Sequence, residues 1–440
     1  MDQILEGMAL HLVTNSSIKS KPELHRTATF LYGVSALSMM GVTFISPVFP
    51  LMALEIGMTH VDMANMIAWF TFPALIFIPL WGFIADRFQR KIVLSISLLL
   101  FGICGSAIFF TDNMQTILWL RFAQGIGVSG IMPMSGTIIG DMFSKNKDLE
   151  VGAQGLRVVS INLAKFFYPM AGGLLGGIAW NLPFLFFFIA VPAGLYTIKY
   201  MPEMGAKEKE EKINSQVYFR LLGKALLNWS VLISYSVVFM RFFIKYGVYT
   251  FLPLMVLKYG MSAGEAGLVF SMMSLGLASV ATQVKRLSKS RVPMEYIVLS
   301  GMILIGVVSI GFSIATSFIS FLIVGLLYGI MEGFAAGLET SLLTQNTSRD
   351  IRAGIVSIGS WIRNLGKTIS PLFFLYVSSN PEVLYFLSEI PLLNLDMSLS
   401  VGPDNGFILT GILGAMAGIL IVLLIVITWI LKKLIASNTS

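Results

Sequence analysis

The sequence predicts an all-α membrane protein of twelve transmembrane helices, folded as two pseudo-symmetric six-helix bundles related as parallel repeats. Three observations predict it. Of the 440 residues, 56% are hydrophobic and only 12% are charged, with a mean hydropathy of +0.81, whereas soluble domains carry about 25% charged residues. The basic residues fall in alternate loops. Two stretches recur in the second half of the chain, displaced by 202 and 203 residues.

Crossing about 30 Å of hydrocarbon takes roughly 20 apolar residues in a helix, because only helices and closed barrels satisfy every backbone group there. Such stretches begin near Thr27, Asp62, Ile92, Gln115, Val151, Leu182, Leu226, Ala263, Met294, Phe318, Arg352 and Gly406. The alternation of barrel strands is absent. Residues 1–26 read as a cytoplasmic tail, 27–200 as the first bundle and 201–225 as a cytoplasmic linker. Residues 226–431 form the second bundle and 432–440 a cytoplasmic tail. The linker contains MPEMGAKEKEEKINSQ, a solvated, charge-rich run.

The net charge of +7 acquires its meaning from its distribution. With the N-terminus inside, the cytoplasmic loops hold Arg87, Arg90, Lys91, Lys145, Lys147, the linker lysines, Lys285, Arg286, Arg349 and Lys432, and the opposite loops hold only Lys258. That asymmetry predicts a multi-pass protein of the cell (inner) membrane with both termini cytoplasmic. Nucleic-acid binding is then unnecessary to explain the basicity. Asp2 and Glu6 interrupt any basic leader, so a removable signal peptide is not expected. Cys104 is the only cysteine and His11, His25 and His60 all lie outside the spans, so neither an internal disulfide nor a metal cluster is predicted, and no cofactor.

The recurring stretches show how the chain is organised. FPLMALEIGMT (Phe49 to Thr59) returns as LPLMVLKYGMS (Leu252 to Ser262), with six of eleven positions identical. Asn162, Lys165 and Pro169 return at the same spacing as Asn364, Lys367 and Pro371. The first pair sits at the ends of helices 1 and 7, the second within helices 5 and 11. Because six is even, both halves enter the membrane in the same direction, as parallel repeats do.

GFIADRFQRK (Gly82 to Lys91), between helices 2 and 3, resembles the signature loop of the major facilitator superfamily, G-x-L-x-D-R-x-G-R-K. Gly82, Asp86, Arg87, Arg90 and Lys91 match it, and Gln89 replaces the second glycine. LRFAQGIG (Leu120 to Gly127) is similar to the family's R-x-x-Q-G-x-G pattern, and the resemblance covers essentially the whole chain. It implies a cytoplasmic gating latch that makes and breaks as the halves rock. Gly82 is expected to permit close helix approach, Asp86 to face a helix N-terminus, and Arg87 and Arg90 to pair with acids such as Asp141. The alternative is a static basic loop. YPMAGG (Tyr168 to Gly173) resembles the fifth-helix motif G-P-x-x-G-G of drug/proton antiporters: Pro169, Gly172 and Gly173 match as a hinge, while Tyr168 and Ala164 stand where glycines are usual. An ordinary kink is the alternative.

Charges at mid-helix depth are the candidate site. A charged side chain near the bilayer centre costs about 2.5 to 3.5 kcal/mol, so such groups face a wet cavity or a partner. They are Lys165 on helix 5, Arg241 and Lys245 on helix 7, Glu332 on helix 10, Arg363 and Lys367 on helix 11, and Arg121 on helix 4. Lys165, Arg241, Lys245 and Lys367, with Asn162 and Asn364, are the substrate-binding candidates. Arg241 and Lys245 are four apart and share a face. Glu332 is the first proton-coupling candidate, with Arg121 second. Arg121 and Arg363 also read as structural, and Glu332 alternatively belongs to the packing stripe of Gly329, Gly333 and Gly337.

Together these readings predict a monomeric secondary active transporter in the lipid bilayer. It moves a small-molecule solute by alternating access, as proton-coupled antiport and efflux, with no cofactor beyond the proton gradient. Uptake or exchange of an anionic metabolite held by the central Lys and Arg residues is the alternative. A receptor or scaffold that no longer transports is a third reading. There is no G-x-x-x-x-G-K-[ST] loop for ATP, and no nucleophile, base and orienting residue come together, so an enzyme is not expected.

Overall fold

The computed structural model describes residues 21–87, 89–144, 146–201, 228–281, 294–345 and 352–379, with isolated positions at 220, 221, 223, 226 and 283. The expected twelfth helix near Gly406, residues 1–20 and most of the linker lie outside the described residues. Every element among those described is helical. We label the spans in chain order. α1 is a composite of helical pieces, Lys21–Leu37, Met40–Thr43 and Phe49–Ile56, with the 3-10 turn Ser46–Val48 between the last two, and its apolar span is Leu24–Ile56. α2 (His60–Ala85), α3 (Arg90–Phe110), α4 (Met114–Met142), α5 (Lys147–Gly176) and α6 (Leu182–Tyr200) follow. After the linker come α7 (Trp229–Lys258), α8 (Ala263–Ala281), α9 (Met294–Ile314), α10 (Phe318–Gln345) and α11 (Arg352–Ser379).

Nine helices among the described residues are long and apolar enough to cross a bilayer, and α9 and α11 fall outside that number. α11 has the length, but Arg363 and Lys367 interrupt its apolar run; it is the most amphipathic of the long helices. In α2 and α5, capping residues start the helix before the expected apolar run. Thr59 and Asp62 form a reciprocal capping box that starts α2 at His60. The Asn146 side chain accepts from the backbone N–H groups of Asp148 and Leu149, at 3.1 and 3.2 Å, and starts α5 at Lys147.

The first repeat is the same local structure twice. Gly57 and Gly260 both adopt positive φ, 67° and 77°, a left-handed turn that only glycine enters without strain. After each, a hydroxyl caps the next helix. Asp62 N–H donates to Thr59 Oγ1 at 3.2 Å, and Glu265 N–H donates to Ser262 Oγ at 3.3 Å.

Lipid is as apolar as a leucine, so helix association in a membrane depends on close packing and hydrogen bonds rather than on burial from water. Glycines provide the approach. A Cβ at Gly125 of α4 would run into the Phe70 carbonyl of α2, and one at Gly127 into the α3 backbone at Phe101. Gly329 and Gly333 of α10 lie against Met273, Leu277 and Val280 of α8, and Gly276 of α8 lies against α10. The glycine stripe of α10 is therefore the α8 contact. At Gly82, a Cβ would meet no atom within 4 Å among the described residues.

α3 packs on α4 and α6, and α1 on α5; in the later half α8 and α9 pack on α10, and α7 on α11. Contacts between helices before residue 201 and those after residue 228 run chiefly along α5–α8 and α2–α11. Thr368 Oγ1 meets Thr71 Oγ1 at 3.0 Å across the second seam. Gly172 and Gly173 serve two neighbours, since Cβ atoms there would run into the Phe44 carbonyl of α1 and the Ala263 carbonyl of α8.

Candidate functional site: cations around Glu332

The site begins with two periodicities. Arg241 and Lys245 are one turn apart on α7, and Arg363 and Lys367 one turn apart on α11, so each pair shares a face, and the two helices pack together. α10 brings Glu332 to the first pair. Arg241 Nη1 donates to Glu332 Oε1 at 2.9 Å, and Lys245 Nζ reaches both carboxylate oxygens at 2.8 Å. The three are buried: Glu332 is 1% exposed, Arg241 6% and Lys245 8%. A carboxylate held by three charge-assisted hydrogen bonds is strongly anchored. Arg241 and Lys245, read from sequence as cargo ligands, are engaged within the protein, and Glu332 faces α7 rather than the glycine stripe.

Lys165 and Lys367 have a different setting. Both are half-buried, and among the described residues neither ammonium makes a hydrogen bond or meets a carboxylate. Lys165 lies in the electrostatic field of Lys245, Glu332, Arg241 and Arg363, and Lys367 in that of Arg363, Lys165, Lys245 and Arg241. Among the described residues, Lys165, Arg241, Lys245, Arg363 and Lys367 thus form one electrostatic neighbourhood with the single carboxylate of Glu332, in a setting where charge is costly. Aromatic faces hold part of it. Lys367 Nζ lies 5.2 Å from the Phe242 ring centroid and 5.5 Å from that of Tyr246, and Arg363 Cζ lies 5.2 Å from Phe242, all within cation–π range. Lys245 Nζ is 5.6 Å from Tyr249.

The asparagines differ. Asn364 is buried and donates from Nδ2 to Ser360 O of its own helix at 2.9 Å, whereas Asn162 is half-buried one turn before Lys165. Arg121 stands apart from the cluster. Fully buried, it donates from Nε to Met66 O at 3.3 Å, from Nη1 to Gln124 Oε1 at 2.8 Å and from Nη2 to Gly41 O at 2.7 Å, and it covers the Phe70 ring at 4.5 Å. The guanidinium joins α1, α2 and α4. Arg121→Lys keeps the charge but loses the planar fork. It is expected to cost about 1 to 3 kcal/mol for each buried carbonyl left without a donor, read as a lower unfolding midpoint, while flux per folded molecule persists. Loss of flux at unchanged stability would instead make Arg121 part of proton coupling.

At the signature loop, Arg90 Nη1 contacts Asp141 Oδ2, joining the start of α3 to the end of α4. The side chains of Asp86 and Arg87 lie outside the described residues.

Several polar groups carried no sequence signal. Arg157 of α5 donates from Nη2 to Met132 O at 2.7 Å and from Nε to Ser35 Oγ at 3.0 Å, joining α4 and α1. Its position in the polar first half of α5 was the only hint. Tyr328, one turn before Glu332, is buried with no hydrogen-bond partner for its hydroxyl among the described residues. Phe242 and Tyr246 alternate with Arg241 and Lys245 along α7, a pattern indistinguishable by sequence from lipid-facing aromatics.

The comparisons with known proteins agree with one another. The family model of the Major Facilitator Superfamily matches residues 31–371. The bacillibactin exporter of Bacillus subtilis (strain 168) is 28% identical over 373 residues, 81% of this chain and 91% of that protein. Multidrug resistance protein MdtG of Escherichia coli O9:H4 (strain HS) is 25% identical over 353 residues, 77% of this chain and 84% of that protein. Among solved structures, an inward-facing, unoccupied bacterial homolog of the human lysosomal transporter Spinster superposes with a TM-score of 0.71 at 16% identity, covering 92% of this chain and 96% of that one.

Proposed function

Because this chain belongs to the major facilitator superfamily, and is therefore a multi-pass membrane transporter and not an enzyme, we propose that it exports a small organic solute bearing an anionic group, by alternating access of two six-helix bundles. Efflux is supported by relatives matched over most of their length, one an exporter and one a multidrug resistance protein. The anionic group is supported by the cations around Glu332. That carboxylate is already bonded to Arg241 and Lys245, and among the described residues the ammonium groups of Lys165 and Lys367 meet no carboxylate. Lys165 and Lys367, at equivalent points of the two repeats, are the groups we assign to the cargo. A proton moving inward would drive it outward, with both termini in the cytoplasm.

Reconstitution into liposomes with an imposed pH gradient tests this. Organic anions are expected to move against their gradient, and to stop when a protonophore removes the pH difference. Movement of cationic drugs with indifference to anions would sink the assignment. Anion exchange without dependence on the pH gradient would replace proton-coupled export by the exchange reading, which the same cations favour.

A further inference from the structure

The seam between α5 and α8 carries a detail that proline chemistry explains. Pro169 has no N–H, so it cannot make the helical bond to the carbonyl four residues earlier, and its ring crowds that carbonyl. The carbonyl belongs to Lys165. Although α5 runs unbroken from Lys147 to Gly176, the donor to Lys165 O comes from another helix: Ser274 Oγ of α8 lies 2.9 Å away. One turn earlier on α8, Ser271 Oγ donates to the next carbonyl, Phe166 O, at 2.6 Å. The approach is close enough because Gly267 of α8 faces the Pro169 carbonyl, where a Cβ would not fit.

Each serine also has a carbonyl within reach on its own helix, Gly267 O at 3.0 Å for Ser271 and Phe270 O at 3.1 Å for Ser274. A hydroxyl has one proton to give. When the seam parts, the serines fall back on their own helix, as serines in helices do, and remain satisfied. Lys165 O does not. The cost of opening therefore falls on α5, at the residue whose ammonium faces the cation cluster.

We propose that Ser274 and Ser271 are positioning residues that couple closure of the α5–α8 seam to the placement of Lys165: Ser274 supplies the one hydrogen bond that Pro169 denies to α5, and Ser271 adds a second bond to the neighbouring Phe166 carbonyl. This rests on the alternating-access reading, in which the seam parts once per cycle. While the seam is closed the serines hold the backbone of Lys165, and so the root of its side chain, in one place. On opening, the freed carbonyl must take up water or its turn must adjust, and the lysine moves with it. Cargo binding and seam opening then become a single event.

The test is a double-mutant cycle read as a distance distribution. In the full-length protein in nanodiscs, with Cys104→Ser, spin labels at Ile178→Cys and Tyr259→Cys report separation across the seam. Ser274→Ala alone is expected to raise the ratio of separated to close distances about three-fold, and together with Ser271→Ala roughly ten-fold, the effect of two modest hydrogen bonds. Ser271→Thr with Ser274→Thr keeps the hydroxyls and is expected to keep the ratio. In a Pro169→Ala background the new N–H can serve Lys165 O within α5, and Ser274→Ala should then change the ratio less than about two-fold. Equal effects in both backgrounds, or no effect in either, overturn the proposal. Should the Pro169→Ala protein not be monodisperse, the threonine pair decides alone. The ratio is measurable whether or not solute moves. Absent flux with an intact cycle discredits transport only, and flux with an additive cycle discredits the serines only.

Discussion

Glu332→Gln is expected to lower stability by about 3 to 5 kcal/mol, the cost of breaking a buried ion pair by removing one partner. The substitution preserves shape and one acceptor, so little packing is lost. What it removes is the negative charge to which Arg241 and Lys245 are both bonded at 2.8 to 2.9 Å. The two cations are buried, so neither is readily re-solvated, and the like charges of Lys165 and Lys367 remain nearby. The unfolding midpoint in detergent, followed by tryptophan fluorescence, should fall. Replacing Arg241, Lys245 and Glu332 together by methionine should recover most of the loss, because a buried triad exchanged for apolar groups of similar size is often neutral or stabilising. An unchanged midpoint for Glu332→Gln would mean that the carboxylate is not the counter-charge of this cluster, and the assignment of the lysines to the cargo would fall with it.

Periodicity and repetition made part of this site legible in the sequence, and chain geometry in three dimensions made the rest. Arg241 and Lys245 are on one face because they are four apart, and Lys165 matches Lys367 because the halves repeat. The turns at Gly57 and Gly260 followed from the same repetition. Sequence could not choose Glu332's partners, since that depends on the rotation of α10 about its axis: the glycines of α10 turn one face to α8, and this places Glu332 against α7. Gly82 matches a family motif, and among the described residues no atom lies within 4 Å of where its Cβ would be. Arg121 read both as a proton-coupling candidate and as a structural cation. Its partners are Gln124 Oε1 and the Gly41 and Met66 carbonyls, and backbone acceptors leave no trace in composition. Ser271 and Ser274 were equally silent, because a helix serine reads the same whether it bonds its own turn or a neighbour's.

Lys165→Met and Lys367→Met are each expected to reduce flux of an anionic solute by about ten- to one-hundred-fold at low concentration, the effect of one hydrogen bond to a charged group, about 1.5 to 3 kcal/mol. Their effect on stability should be absent or opposite in sign to that of Glu332→Gln. Each lysine sits among like charges, and neither meets a carboxylate among the described residues, so its removal relieves repulsion. Lys→Arg at either position keeps the charge and should retain part of the flux, less where a compact ammonium is required. If one anion is held between the two, the double substitution will cost less than the two single costs added, because the second lysine has lost its partner in binding. Flux assays and unfolding midpoints on the same preparations separate the possibilities. Loss of flux without loss of stability marks cargo ligands, loss of both marks structural cations that merely tolerate their position, and loss of neither removes the lysines from the mechanism.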